Sequence, residues 1–277
     1  MMKDKKIWHV VLETYLLCYM FRILEYFILR TDQTWIGEAI VHKLLGIVTL
    51  FAVAAYVKLT PEQIGFGKER AFRNLLKGLV FGCSIFAIAY GVEILIAVLQ
   101  GSFDSLQLYV STYAIVQNTG YRTESMFFLI CIVGNVVNVI MEEGLFRGLF
   151  AKLLEKKYSF IVTAVCSSCL FGFWHMVGPV RSCADGTMSL EGMLANIAML
   201  VGTSALVGFK FAMLTKMTGS LYMAMGDHFV NNTIVNLLHV VTATGADEMM
   251  VVRIAVAQSA SFVLALIFYI RRFVKRV

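Results

Sequence analysis

Long apolar runs separated by short polar connections dominate the chain. Eight of them, at about 7–29, 39–58, 76–99, 125–151, 160–177, 190–214, 218–240 and 249–270, approach or reach the roughly 20 helical residues needed to cross a hydrocarbon core. The pattern predicts an all-α fold, a polytopic membrane helical bundle of about eight transmembrane helices. No soluble domain fits in the remaining connections. The longest connection, Gly101 to Glu124, mixes polar and aromatic residues and is expected to lie partly on the membrane surface. Three parts follow: 1–124, with the first three helices and interfacial segments; 125–240, with the next four; and 241–277, with the last helix and a basic tail. No internal repeat or low-complexity tract stands out.

Composition agrees with this reading. The chain is 59% hydrophobic and 15% charged over 277 residues, with a mean hydropathy of +0.76, which excludes an ordinary soluble domain. Its net charge of +6 would fit a nucleic-acid partner, but the basic residues mark one side of the membrane instead. Most of the 24 fall in alternate connections: Lys3, Lys5 and Lys6; Lys58 to Lys77; Lys152, Lys156 and Lys157; Lys210 and Lys216; and Arg271 to Arg276. The other connections hold only Arg30, Arg122, Arg181 and Arg253. The positive-inside rule then puts both termini in the cytoplasm, consistent with an even number of crossings and a cell-membrane location. The first run is interrupted by Glu13, Arg22 and Glu25 and offers no cleavage site, so it reads as a helix that stays, not a secretory signal. Arg22 and Glu25 are expected to form a structural pair. Thr60-Pro61-Glu62-Gln63 reads as a capped turn on the basic face. Cys166 and Cys169 have a redox or zinc spacing, but they lie within a span with no second pair and read as small apolar residues.

The stretch Met141-Glu142-Glu143-Gly144-Leu145-Phe146-Arg147-Gly148 puts three ionisable side chains inside a predicted span. Each costs about 2.5 to 3.5 kcal/mol at bilayer depth even on insertion scales, so they must be paired or face water. Glu143 and Arg147, four apart on one helix face, are expected to form a structural ion pair. Glu142 points about 100° away and is left for chemistry. Asn135 and Asn138 lie on its side of the helix, where they either orient Glu142 or satisfy each other.

Two histidines complete the constellation. The fifth run ends Phe171-Gly172-Phe173-Trp174-His175, with Gly178-Pro179 expected to terminate it. The seventh carries Asp227, His228 and, one turn on, Asn232, with Asn236 continuing the stripe. Glu142 and His175 lie on either side of the turn near Tyr158, each roughly 22–24 Å along its helix, so they can meet at one level. His228 enters from the same side at roughly 15 Å.

These residues resemble three motifs of the CPBP intramembrane proteases, the family of type II CAAX prenyl endopeptidases and bacterial Abi and bacteriocin-immunity proteins. Glu-Glu-x-x-x-Arg stands at Glu142, Glu143 and Arg147; Phe-x-x-x-His at Phe171 and His175; His-x-x-x-Asn at His228 and Asn232. The resemblance covers about Met126 to Val240. It implies an endopeptidase acting on a membrane-associated protein or peptide, with Glu142 and His175 activating a water and His228 with Asn232 stabilising the oxyanion. Buried donors aimed at such an oxyanion lower the barrier by several kcal/mol.

Two other classes fit parts of the pattern. A proton-coupled transporter also places ionisable residues at the midplane, although no inverted repeat is visible. A non-catalytic immunity protein keeps the fold without turnover. Cofactors are expected to be none. The alternative is zinc held by Glu142, His175 and His228; the expectation against it is that no His-Glu-x-x-His turn is present and no carboxylate backs His228.

Overall fold

The computed structural model describes residues 4–112 and 119–273. Lys3, Lys275 and Arg276 of the charge pattern lie outside them. The bundle consists of α1 (Asp4–Leu24), α2 (Val41–Tyr56), α3 (Ala71–Leu99), α4 (Ser125–Glu143), α5 (Ala151–Leu154), α6 (Phe160–Trp174), α7 (Val177–Ala184), α8 (Leu190–Thr218), α9 (Tyr222–Leu237) and α10 (Met250–Phe273). Wide π-type turns over Gly144–Phe150 join α4 to α5 as one continuous rod. The chain is a polytopic helical membrane protein.

The helices are less uniform in length than the apolar runs. Among the described residues six helical stretches are long and apolar enough to span: Lys6–Gln33, Glu62–Leu99, Ser125–Leu154, Phe160–Ala184, Leu190–Thr218 and Met250–Phe273. α2 is apolar but has only 16 residues. α9, also 16 residues, is shorter than its apolar run because the chain turns extended at Leu238. Both short helices pack against α4 and bury polar positions such as His42, Thr49, Asp227 and His228 inside the bundle. The lipid-facing surface is supplied by outward apolar side chains such as Leu16, Val80, Val165 and Leu206, all exposed.

Two other expectations change. Gly178-Pro179 does not terminate the fifth span: α6 ends at Trp174, and Pro179 sits in the first turn of α7, where its missing N–H costs nothing. The connection after α3 is not simply a surface segment, because β1 (Phe103–Leu108) pairs antiparallel with β4 (Leu238–Thr242), with Leu106 opposite Val240. β2 (Val110–Thr112) and β3 (Thr119–Arg122) form a second two-stranded ribbon. Below this cap, Tyr109 stacks on His239 at 3.7 Å. His239 Nδ1 donates to Asp247 at 2.6 Å, and Arg253 ties Asp247, at 2.7 Å, to Glu93 of α3, at 3.3 Å.

α9 is drawn into the centre by glycine. A Cβ on Gly78 of α3 would sit 2.2 Å from the Met223 carbonyl oxygen, and one on Gly226 would meet the Leu75 carbonyl at 2.6 Å. The two helices therefore pack backbone to backbone, the small-residue contact expected where apolar packing alone cannot join helices in lipid. Thr60 and Gln63 form the expected reciprocal cap, each side chain accepting from the other's backbone N–H.

Candidate functional site

Glu142 is buried at the end of α4, and both its oxygens are held. Asn138, one turn earlier, donates its Nδ2 to Oε2 at 3.1 Å, while Trp174 of α6 donates Nε1 to Oε1 at 3.0 Å. Of the two asparagines on this face, Asn138 therefore orients the carboxylate, and Asn135 turns back to the Cys131 carbonyl. The Trp174 contact makes α4 and α6 meet at the level that the hairpin spacing required.

His228 of α9 bridges the two glutamates. Its Nδ1 lies 2.8 Å from Glu143 Oε1 and its Nε2 3.5 Å from Glu142 Oε2. A carboxylate only accepts, so Nδ1 is the donor and Nε2 is turned toward Glu142. Phe211 stacks on this imidazole at 4.7 Å and Phe171 meets it edge-on at 6.1 Å, which fixes the ring. His175 follows α6 and is half-buried. Its Nδ1 donates to the Phe171 carbonyl at 2.8 Å, so it too leaves Nε2 for the site, and it interacts electrostatically with Glu142. Both histidines thus present the same ring nitrogen.

The Glu143–Arg147 pair is formed, at 3.3 Å and fully buried. Arg147 also donates Nε to the Gly208 carbonyl at 3.3 Å and lies 4.0 Å from the Phe171 ring. The absence of a side chain at Gly208 makes this possible, because a Cβ there would sit 2.5 Å from the guanidinium. The division of labour inferred from spacing changes in one respect: Glu143 holds His228 as well as Arg147. The expectation that no carboxylate backs His228 is accordingly wrong, because the backing group comes from α4 and not from the adjacent Asp227. Asp227 points away, as helix geometry requires, and pairs with Lys210 of α8 at 2.8 Å. Lys210 is therefore a buried bundle residue and no part of a basic connection.

Asn232, one turn beyond His228, is half-buried. Its Oδ1 accepts from Asn231 at 3.1 Å, and Asn231 Oδ1 in turn accepts from Gln258 of α10 at 2.5 Å. With Oδ1 occupied, the Asn232 amide N–H groups are left as the free donors. Glu142 and His228 are buried, whereas His175 and Asn232 are partly open, so the constellation has an enclosed floor and an accessible edge.

Sequence spacing missed Arg22. Instead of pairing with Glu25, its guanidinium lies 4.0 Å from Glu142 Oε1, sandwiched between Tyr26 and Trp174 at 4.9 and 4.7 Å. It also reaches His42 Nε2 at 3.4 Å, while Glu25 accepts from the His42 backbone at 2.6 Å and from Thr31. Three spaced charges on one helix looked self-sufficient; the packing of α1 on α6 separates them. An arginine in an apolar run was the available signal, and it pointed inward without naming its partner.

Among the described residues no group of three or more His, Cys, Asp or Glu is arranged to hold a metal ion. Residues 124–234 match the family described as type II CAAX prenyl endopeptidase Rce1-like, a segment that contains Glu142, Glu143, Arg147, Phe171, His175, His228 and Asn232. No curated protein matches the chain.

Proposed function

We propose that this chain, whose residues 124–234 match the type II CAAX prenyl endopeptidase Rce1-like family, hydrolyses a peptide bond of a membrane-associated protein or peptide with Glu142 as general base. The observation that carries the reading is the convergence of Asn138, Trp174 and His228 on one buried carboxylate, beside a second imidazole with its Nε2 free. A water between Glu142 and His175 gives its proton to the carboxylate as its oxygen attacks the scissile carbonyl. The resulting oxyanion is met by the Asn232 amide and by His228. In the neutral ring Nε2 has no hydrogen, so His228 serves as an oxyanion donor only as an imidazolium. The C–N bond then breaks, and the amine leaves with the proton that Glu142 had taken.

The zinc alternative uses the same three side chains, and with Glu143 behind His228 one of its requirements is met. A glutamate base is favoured because both Glu142 oxygens are already engaged by neutral N–H donors, an arrangement that orients a base. No step of the proposed reaction passes through a metal.

The membrane-embedded placement makes a lipid-anchored substrate the fitting class, and the basic connections support cytoplasmic termini. Reporter fusions near Thr34, Asp104, Asp185 and Gly245 should read outside, and those at Lys68, Lys157 and the C-terminus inside.

The deciding assay uses purified protein in lipid vesicles with a fluorogenic peptide ending in a prenylated CAAX sequence, beside its unprenylated counterpart. Cleavage that persists in strong chelator and disappears in a folded Glu142→Gln variant is expected. Stoichiometric zinc whose removal abolishes activity and whose return restores it would reassign Glu142, His175 and His228 as ligands. Parent and variant both inert toward every peptide offered would favour the non-catalytic reading.

A further inference from the structure

Away from the site, α3, α8, α9 and α10 enclose a groove of about 590 Å³ at one end of the bundle. Its walls are apolar, with Phe81, Met217 and Phe268 among them, and none of the residues around Glu142 lines it. At its rim stand Lys77, from the second turn of α3, and Arg271 and Arg272, from the last turn of α10. No aspartate or glutamate lines the groove, and among the described residues none of these three cations takes part in an ion pair.

We infer that this groove is a binding site for one anionic phospholipid, its phosphodiester held by Lys77, Arg271 and Arg272 and an acyl chain lying on the apolar wall. Three points select this ligand. The positive rim with no acidic counterpart demands an anion and repels a basic protein tail. The apolar wall below it demands a hydrocarbon, which a free phosphate or nucleotide lacks. The rim lies where α3 begins and α10 ends, the depth at which headgroups meet the hydrocarbon, and adjacent arginines suit the tetrahedral oxygens of a phosphate. Anionic lipids of the cytoplasmic leaflet attract such residues by about 1 kcal/mol each through surface potential alone. The concavity turns that diffuse attraction into a site for one molecule. The proposal stands apart from proteolysis, because no catalytic residue contributes to it.

The experiment is native mass spectrometry of purified protein released from bilayers of phosphatidylglycerol and phosphatidylcholine in equal amounts. The parent should retain one phosphatidylglycerol under conditions that strip phosphatidylcholine. A Lys77→Gln/Arg271→Gln/Arg272→Gln variant should retain at least about tenfold less, while Lys68→Gln/Arg70→Gln/Arg73→Gln, which removes as many charges from the neighbouring connection, should match the parent. If the triple variant does not fold, Lys77→Glu alone, at an exposed position, should still lower retention several-fold. Equal retention by the rim variants and the parent overturns the proposal, and so does equal loss in the control, which would mean general surface charge. Displacement of the lipid by millimolar glycerol 3-phosphate would identify a free-phosphate site and overturn it as well.

Discussion

His228 turns its Nδ1 to Glu143, 2.8 Å away, while Arg147 holds the same carboxylate oxygen at 3.3 Å. A residue that spacing alone assigned to structure therefore sets the ring orientation and hydrogen position of a residue assigned to chemistry. The two roles separate under mutation. Glu143→Gln should keep most of the packing but remove the negative charge held between His228 and Arg147, lowering kcat by on the order of 10²- to 10⁴-fold, as when an orienting carboxylate is neutralised elsewhere. Arg147→Ala strands a buried charge, a loss of about 3–5 kcal/mol, and should reduce the folded protein recovered as well as its activity. If Arg147→Ala accumulates and melts like the parent, the guanidinium belongs to the chemistry and not to the support.

Trp174 and Arg22 converge on Glu142 Oε1 from two different helices. Trp174→Phe keeps most of the ring volume and removes one N–H from the Glu142 carboxylate, worth about 1.5–3 kcal/mol, so kcat should fall roughly 10- to 100-fold and the melting temperature should drop with it. Arg22→Gln should act in the same direction, although α1 lies outside the matched segment. An unchanged kcat in Trp174→Phe would show that Glu142 needs no donor at this oxygen.

The cap formed by β1 and β4 should respond to acid. Asp247 lies in the connection before α10, where burial raises its proton affinity, but the hydrogen bond from His239 and the charge of Arg253 outweigh this and hold it below the ordinary aspartate range. A lowered folded-state value means that the unfolded cap binds the proton more readily. Its contribution is thus complete above the ordinary value of about 3.9 and is lost as pH falls below it. Hydrogen exchange of the β1–β4 amides, after correction for intrinsic rates, should accelerate below about pH 4. Asp247→Asn should exchange faster throughout and show no such step; a parent-like step in that variant would assign it to another group.

The close approach of α3 and α9 predicts a penalty for the smallest possible addition. Gly78→Ala puts a methyl group 2.2 Å from the Met223 carbonyl, a backbone atom that cannot swing aside. It should destabilise the bundle by about 1–3 kcal/mol, measured as lower thermal stability in detergent. Gly91→Ala on the same helix meets open space and serves as the neutral control.

What was legible in the sequence is tied to local spacing. The Glu143–Arg147 pair, the turning of Asp227 away from the His228 face and the reciprocal Thr60–Gln63 cap follow from helix periodicity, which any isolated segment obeys. The meeting of α4 and α6 at Glu142 and Trp174 follows from counting residues on both sides of one turn. What escaped depends on packing between segments far apart in the chain. Arg22 reaches Glu142 over 120 residues, and Gln258 reaches Asn231 across a helix boundary. Leu238 to Thr242 continued an apolar run and read as helix, because five residues are too few for an alternating pattern to declare itself. Their strand partner, β1, is more than 130 residues earlier. Lys210 sat near the end of a predicted helix, where a lysine normally reaches water; only the buried Asp227 shows why it does not.

The wide turns over Gly144–Phe150 act as a phase adjuster within one rod. Each π-type turn accommodates one residue more than an α-turn, so the faces before and after it are set by different counts. Inserting a further residue between Gly144 and Phe150, where one extra residue is already accommodated, would rotate one half against the other by about 100°. The half that ends in Glu142 and Glu143 is clamped by Trp174 and His228, and the other half is anchored by Leu149, Phe150 and Leu153 in the core. The two clamps would then compete for a single register. A one-residue insertion here should be far more damaging than the substitution of any one side chain within these turns.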